Sequence, residues 1–200
     1  MYKNNGPHVV LFDYGCKKSI LHALLAENCA VTVVPYNTTF EQVQSLSPDG
    51  VLFSNGPSDP MNLAEWFPEI RKITQTYPSL GICLGHQLIA LAYGAKTSKL
   101  PYGHRGANHP VKELATGKVK ITAQNHGYVV IDESIDPSVF EVTFRNVNDH
   151  SIEGLKHVKY PIETVQFHPE AHPGPSDTAY ILKDFVKQIT SLGETRYAVK

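Results

Sequence analysis

From residue 9 to residue 93 the chain alternates short apolar runs with segments of helical spacing, and few folds accept that rhythm. The runs fall at residues 9–13, 30–35, 50–54 and 80–83. The first ends in Tyr14-Gly15 and the third in the turn-rich Asn55-Gly56-Pro57-Ser58-Asp59-Pro60. Between them, residues 17–28 set Ile20, Leu21, Leu24 and Leu25 on one helical face, and residues 40–46, 64–77 and 85–93 read as further helices. Strand–helix alternation of this kind predicts an α/β fold, a doubly wound and mostly parallel sheet with helices on both faces. Such sheets hold ligands outside the carboxyl ends of their strands. The turns after Ser54 and around Cys83 both lie there.

Beyond Gly94 the rhythm changes. Residues 119–123, 128–131, 139–147 and 162–167 read as strands, several in antiparallel hairpins, which adds a smaller antiparallel region to the sheet. Residues 176–191 read as a closing helix capped by Ser176 or Asp177, and residues 194–200 as a loose tail. With no linker or repeat to divide it, the sequence predicts one domain over residues 1–193.

Charge and composition remove several function classes. A net charge of -1 leaves no basic footprint for nucleic acid and no polybasic arm for a membrane surface. No apolar stretch approaches the roughly 20 residues of a membrane-spanning helix, and the first residues lack a signal-peptide core. The three cysteines, Cys16, Cys29 and Cys83, form no CxxC, which suits a reduced, cytoplasmic protein. There is no P-loop, and no GxGxxG follows a strand, so no nucleotide cofactor is expected on this chain.

Two short segments carry the chemistry. In Gly81-Ile82-Cys83-Leu84-Gly85-His86-Gln87 a thiol ends an apolar run and opens a helix, where free N–H groups and the helix dipole favour a thiolate. The flanking glycines permit a tight elbow. In Gln166-Phe167-His168-Pro169-Glu170 the proline favours extended backbone, so the imidazole and the carboxylate two residues on share a face. Cys83, His168 and Glu170 are thus a candidate nucleophile, base and orienting group. Cys16 and Cys29 lack such a setting. Ten histidines raise metal binding as a competitor. His168 and His172 have i, i+4 spacing, but Pro169, Pro173 and Pro175 oppose a helix there. His104 and His109 lie in a Gly/Pro-containing loop without a matching cysteine or carboxylate pattern, so no metal site is expected. The Gly56–Ser58 turn reads either as a connector or as a source of N–H groups for a carbonyl oxygen. Two polar stretches, residues 103–110 and 124–128, carry more specificity than a turn requires, and spacing alone assigns them no role.

Together these motifs resemble the class I glutamine amidotransferases, in which GxCxGxQ carries the nucleophile and HPE the other two triad members. Ser54-Asn55-Gly56-Pro57-Ser58-Asp59-Pro60, GHRGANHPV at 103–111, QNHGY at 124–128 and HPEAHPGPSD at 168–177 make the likeness strongest to the glutaminase domain of the carbamoyl phosphate synthetase small chain. The resemblance implies Cys83 as nucleophile, His168 as acid/base and Glu170 as its partner. It implies a glutamine pocket of Gly56, Ser58, Leu84, Gln87, Asn125, Gly127 and Tyr128, with Gly56 and Leu84 lending N–H groups to the oxyanion. The expected reaction is hydrolysis of L-glutamine to glutamate and ammonia. The ammonia would pass to a synthetase large subunit that uses ATP, for arginine and pyrimidine biosynthesis. Another acceptor, a stand-alone γ-glutamyl hydrolase and a non-catalytic module on the same scaffold are the alternatives. Two departures stand out. Ser58 replaces the family's usual glycine, which would be costly at a positive φ. Small chains of the family also carry an N-terminal domain that helps join the synthetase subunit, whereas Met1 lies a few residues before the first strand.

Overall fold

The structure, a computed structural model, describes residues 1–171 and 175–198. Four apolar runs become the parallel strands β1 (His8–Asp13), β2 (Ala30–Pro35), β3 (Gly50–Phe53) and β4 (Ser79–Ile82). They are joined by α1 (Lys18–Ala26), α2 (Phe40–Leu46) and α3 (Phe67–Thr76), the last preceded by a 3-10 segment, Pro60–Trp66. Prolines set these boundaries: Pro60 opens the 3-10 segment and Pro68 sits in the first turn of α3, where its missing N–H costs nothing. Residues 64–77, expected as one helix, are therefore two. A fourth helix, α4 (Leu84–Ala92), follows β4 directly.

Strand alternation divides the core. Val10, Phe12, Val51 and Phe53 face one layer with Ile70 and Ile73 of α3 and Leu88 and Ile89 of α4. Val9, Leu11 and Leu52 face the other, with Ile20 and Leu24 of α1 and a last helix, α5 (Tyr180–Ala198), which contributes Leu182, Phe185 and Ile189. Helices on both faces of a sheet buried on both sides are what the sequence predicted.

The antiparallel part is not a separate layer. The remaining strands, β5 (Thr97–Glu113), β6 (Val119–Val130), β7 (Phe140–Asn146), β8 (Ile152–His157) and β9 (Ile162–Val165), continue the same sheet. Its nine strands run β2-β1-β3-β4-β9-β8-β7-β5-β6. β9 is parallel to β4 and antiparallel to β8, so the sheet changes sense at β9. Strand β8 has no counterpart among the expected elements. Residues 103–110, expected as a loop, lie within β5 and pair with β6, with register shifts between Lys99 and His104 and between Gly106 and His109. Residues 119–123 and 128–131, expected as two strands, belong to the single β6 up to Val130. The closing helix also differs, for α5 begins at Tyr180 and stays helical through Ala198, where a loose tail is expected from residue 194. The Asp177 carboxylate accepts from the Ile121 N–H of β6.

Candidate active site

The parallel pairing of β4 and β9 brings the two motifs together. Cys83 directly follows β4, and its N–H donates to Val165 O at the end of β9, 2.8 Å away. Three residues later His168 donates its backbone N–H to Ala123 O of β6 (2.9 Å), so its ring turns toward the thiol. His168 and Cys83 line the same cleft, and the thiol is among the groups that act on the imidazole. On its far side the imidazole Nδ1 lies 2.7 Å from Glu170 Oε1, and both side chains are buried. Burial opposes a charge on His168, but the thiol and the Glu170 carboxylate outweigh it and carry its pKa up to about 9. That balance suits His168 to hold and pass a proton beside the thiol.

Cys83 itself is strained. Its φ is +56 and its ψ -102, outside the regions an L-residue prefers. The strain lifts the side chain out of the sheet at the start of α4, an elbow possible only because Gly81 and Gly85, two residues to either side, lack side chains. A Cβ on Gly85 would stand 2.1 Å from Phe53 O, and one on Gly81 would stand 2.8 Å from the Gly85 carbonyl. Gly85 N–H donates to Ser54 O (3.1 Å), locking the start of α4 to the end of β3. The Leu84 N–H is the first of the helix and has no intrahelical acceptor. Opposite it, a Cβ at Gly56 would meet Tyr14 O at 2.4 Å and Leu84 Cδ2 at 2.6 Å, so only glycine lets this turn close onto the helix.

Cys83, His168 and all seven expected pocket residues, Gly56, Ser58, Leu84, Gln87, Asn125, Gly127 and Tyr128, line one cleft of about 470 Å³. Glu170 sits behind His168. The Asn125 carbonyl lies 3.9 Å from Cys83 Sγ. Gln87 Nε2 donates to Tyr128 O (2.8 Å) and to Gln166 Oε1 (2.9 Å), fixing the cleft wall. Tyr128 reaches across and donates its hydroxyl to Asp59 Oδ2 (2.8 Å). Ser58 is exposed and has no positive φ, so the replacement of glycine carries no conformational cost. Cys16 and Cys29 are different in kind: burial pushes each thiol up to about 11.

Lys17 and Lys99, which the sequence motifs do not single out, also line the cleft, as does Asn55 of the Ser54–Pro60 motif, to which the sequence assigns no role. Asn55 ties two turns together, accepting from Lys17 N–H (3.0 Å) and donating to Gly15 O (3.2 Å). A signal was available, since both turns end neighbouring parallel strands. Arg105, from the polar stretch 103–110, joins Lys17 and Lys99 on a lining that contains no acidic residue. His172, the second member of the i, i+4 histidine pair, lies outside the described residues.

Comparison with known proteins places the chain. Residues 10–188 match the family of class-I glutamine amidotransferases. The carbamoyl phosphate synthase arginine-specific small chain of Halalkalibacterium halodurans is 56% identical over 198 residues, covering 98% of this chain and 55% of that protein. The carbamoyl phosphate synthase small chain of Listeria monocytogenes is 55% identical over 190 residues, covering 95% of this chain and 52% of its own length. The chain thus spans about half the length of these relatives. Among solved structures, a protein described as a GMP synthase subunit from Thermoplasma acidophilum superposes with a TM-score of 0.83 at 21% identity, covering 98% of this chain and all of its own. PurLQS from Thermotoga maritima gives 0.70 at 16% identity, covering 92% of this chain and 99% of its own. Both likenesses are of fold. The chain belongs to the class-I glutamine amidotransferase family.

Proposed function

We propose that this member of the class-I glutamine amidotransferase family hydrolyses L-glutamine to glutamate and ammonia, with Cys83, His168 and Glu170 as its triad. The observation that carries the reading is the strained Cys83 sharing one cleft with a buried His168 whose ring Glu170 holds. The Cys83 thiolate attacks the side-chain amide carbon, and the carbonyl electron pair moves onto oxygen, facing the N–H groups of Gly56 and Leu84. Imidazolium His168 gives its proton to the departing nitrogen, which leaves as ammonia, and a γ-glutamyl thioester remains. His168 then takes a proton from water as the water oxygen adds to the thioester. Collapse expels the thiolate and frees glutamate. Lys17, Lys99 and Arg105 supply a positive field that favours the α-carboxylate end of the substrate.

The ammonia would pass to a carbamoyl phosphate synthase large subunit, which uses ATP; this chain itself needs no cofactor for hydrolysis. Relatives named as small chains of that synthase support this acceptor. The arginine-specific names support arginine biosynthesis, and the pyrimidine route and a cytoplasmic location rest on the motif resemblance alone. The test is acid quench of the chain with glutamine followed by mass spectrometry. A glutamyl adduct on the Cys83 peptide is expected, with ammonia release lost in Cys83→Ala. Equal ammonia release by both proteins would refute the triad. Carbamoyl phosphate formed on adding a purified large subunit would separately establish the acceptor.

A further inference from the structure

Beside the cleft, whose lining includes His126, lies a polar cluster that the proposed hydrolysis does not use. His104 of β5, His126 of β6 and Glu153 of β8 bring one donor atom each within 4.8 Å of one another. His104 Nδ1 and Glu153 Oε1 are 3.5 Å apart. The hydrogen bonds around the cluster fix which atoms face inward. His126 Nδ1 lies 2.9 Å from the Tyr128 carbonyl, which only accepts, so that nitrogen bears a proton. With that proton on Nδ1, the neutral ring presents a lone pair at Nε2. That lone pair points at Gln124 Oε1, 2.8 Å away, and His104 Nδ1 lies 3.0 Å from the same oxygen. Acceptor faces acceptor. The outer nitrogen of His104, Nε2, lies 2.8 Å from Asp149 Oδ2 and donates to it. Glu153 is fully buried; its Oε1 accepts from Asn146 Nδ2 (3.0 Å) and its Oε2 has no partner among the described residues.

Each imidazole thus gives its outer N–H to a carboxylate or a backbone carbonyl and turns its inner nitrogen toward a buried carboxylate. Outer hydrogen bonds of this kind orient histidines that hold metals. A proton on His104 answers only half of the problem. A proton on His104 Nδ1 would face Glu153 Oε1 at 3.5 Å, but His126 Nε2 and Gln124 Oε1 would still oppose one another. Turning the Gln124 amide over would satisfy both rings and leave the buried Glu153 without a counter-charge. One cation removes both conflicts.

We propose that His104, His126 and Glu153, with the Gln124 amide oxygen as fourth donor, form a site for a divalent transition-metal ion of the zinc class. Donors around a tetrahedral ion of that class stand roughly 3.3 Å apart. The separations of 2.8, 3.0 and 3.5 Å already have that scale. The widest pair would close by no more than roughly 1.5 Å, within side-chain rotation. The ion would pin β5, β6 and β8 together where the β5–β6 ladder is broken by its register shifts. It would thereby steady Asn125, Gly127 and Tyr128 from behind. No ligand spacing links residues 104, 126 and 153 along the chain, so only the folded sheet reveals the cluster.

The test uses the chain stripped with chelator and carrying Cys83→Ala, so that no catalytic thiolate can bind metal. Titration with Co²⁺ should reach about one ion per chain, with visible d–d bands and no thiolate charge-transfer band, and Zn²⁺ should displace it. Glu153→Gln removes a ligand and should weaken Co²⁺ binding by more than roughly 100-fold. Asp149→Asn leaves every ligand in place, alters a partly exposed residue, and should weaken it about 10- to 100-fold. That second variant decides the matter if Glu153→Gln does not fold. No saturable Co²⁺ binding in the Cys83→Ala chain, or binding that Asp149→Asn leaves unchanged, overturns the site.

Discussion

Gly85→Ala is the sharpest probe of the nucleophile turn. The added Cβ would stand 2.1 Å from Phe53 O and 2.7 Å from its carbon, both backbone atoms that cannot swing aside. Ordinary contact begins near 3.4 Å, so the start of α4 and the end of β3 must part by roughly 1.3 Å. Leu84 precedes Gly85 and Gly56 follows shortly after Phe53, so the two proposed oxyanion donors lie on opposite sides of the widened contact. Losing one such donor costs about 10²–10³-fold in kcat, and overpacking costs about 1–3 kcal/mol of stability. The variant should fold, since that loss is smaller than a typical domain's stability, yet be nearly inactive. Gly94→Ala, at the other end of the same helix, is the matched control. Gly94 has φ +96 and open space around it, so alanine should cost about 1 kcal/mol in backbone strain and leave kcat unchanged. The assay is coupled ammonia release with melting temperatures measured alongside. A Gly85→Ala kcat within threefold of wild type would refute the reasoning, and so would an equal loss in Gly94→Ala.

Two further outcomes follow from the site. His168 has a folded pKa of about 9, above its ordinary 6.5, so protonating it adds stability that is fully present below about 6.5 and lost as pH rises through 9. The melting temperature of wild type relative to His168→Gln should therefore fall between pH 6.5 and 9.5, by the equivalent of about 1–3 kcal/mol; a flat difference would show that Cys83 and Glu170 do not hold the ring charged. Tyr128→Phe removes the hydroxyl bridge to Asp59 across the cleft. It should raise KM for glutamine roughly three- to tenfold with kcat little altered, and steady-state kinetics showing a kcat effect instead would place Tyr128 nearer the chemistry than the geometry does.

The parallel half of the sheet was legible because its signal is local: the runs of β1, β3 and β4 are almost wholly buried, that of the edge strand β2 partly so, and each helix shows its own period. The antiparallel half was not. Most of β5 between Thr97 and Pro110 is exposed or half-exposed and it contains Gly103, Gly106 and Pro110, so what makes it a strand is β6, which no local window contains. Likewise β8 carries Glu153 and Gly154 among its apolar residues, and the buried Glu153 breaks the alternation that marks a strand. Helix α5 outran its expected end because Gly193 does not stop it. The candidate triad was readable since each member sits in a motif whose backbone demands are written in neighbouring Gly and Pro. Lys17 and Lys99 lie in no such motif, and only the folded chain brings them to the cleft.

A residue at φ +56 with ψ -102 costs on the order of 1–3 kcal/mol and persists only where its surroundings over-determine it. Three hydrogen bonds do so at Cys83. Its own N–H is held by Val165 O, its carbonyl accepts from Gln87 N–H, and the N–H of Gly85 is held by Ser54 O. The first of these comes from β9, whose continuation carries His168. The strand that holds the nucleophile in its strained conformation is therefore the strand that delivers the base. A shift of β9 along β4 would relax the elbow and withdraw the imidazole in one movement. Since β9 also marks the change from parallel to antiparallel pairing, the register of that single strand couples the helical half of the molecule to the β5–β6 wall. The thiol, the ring and the cleft are set by one structural decision.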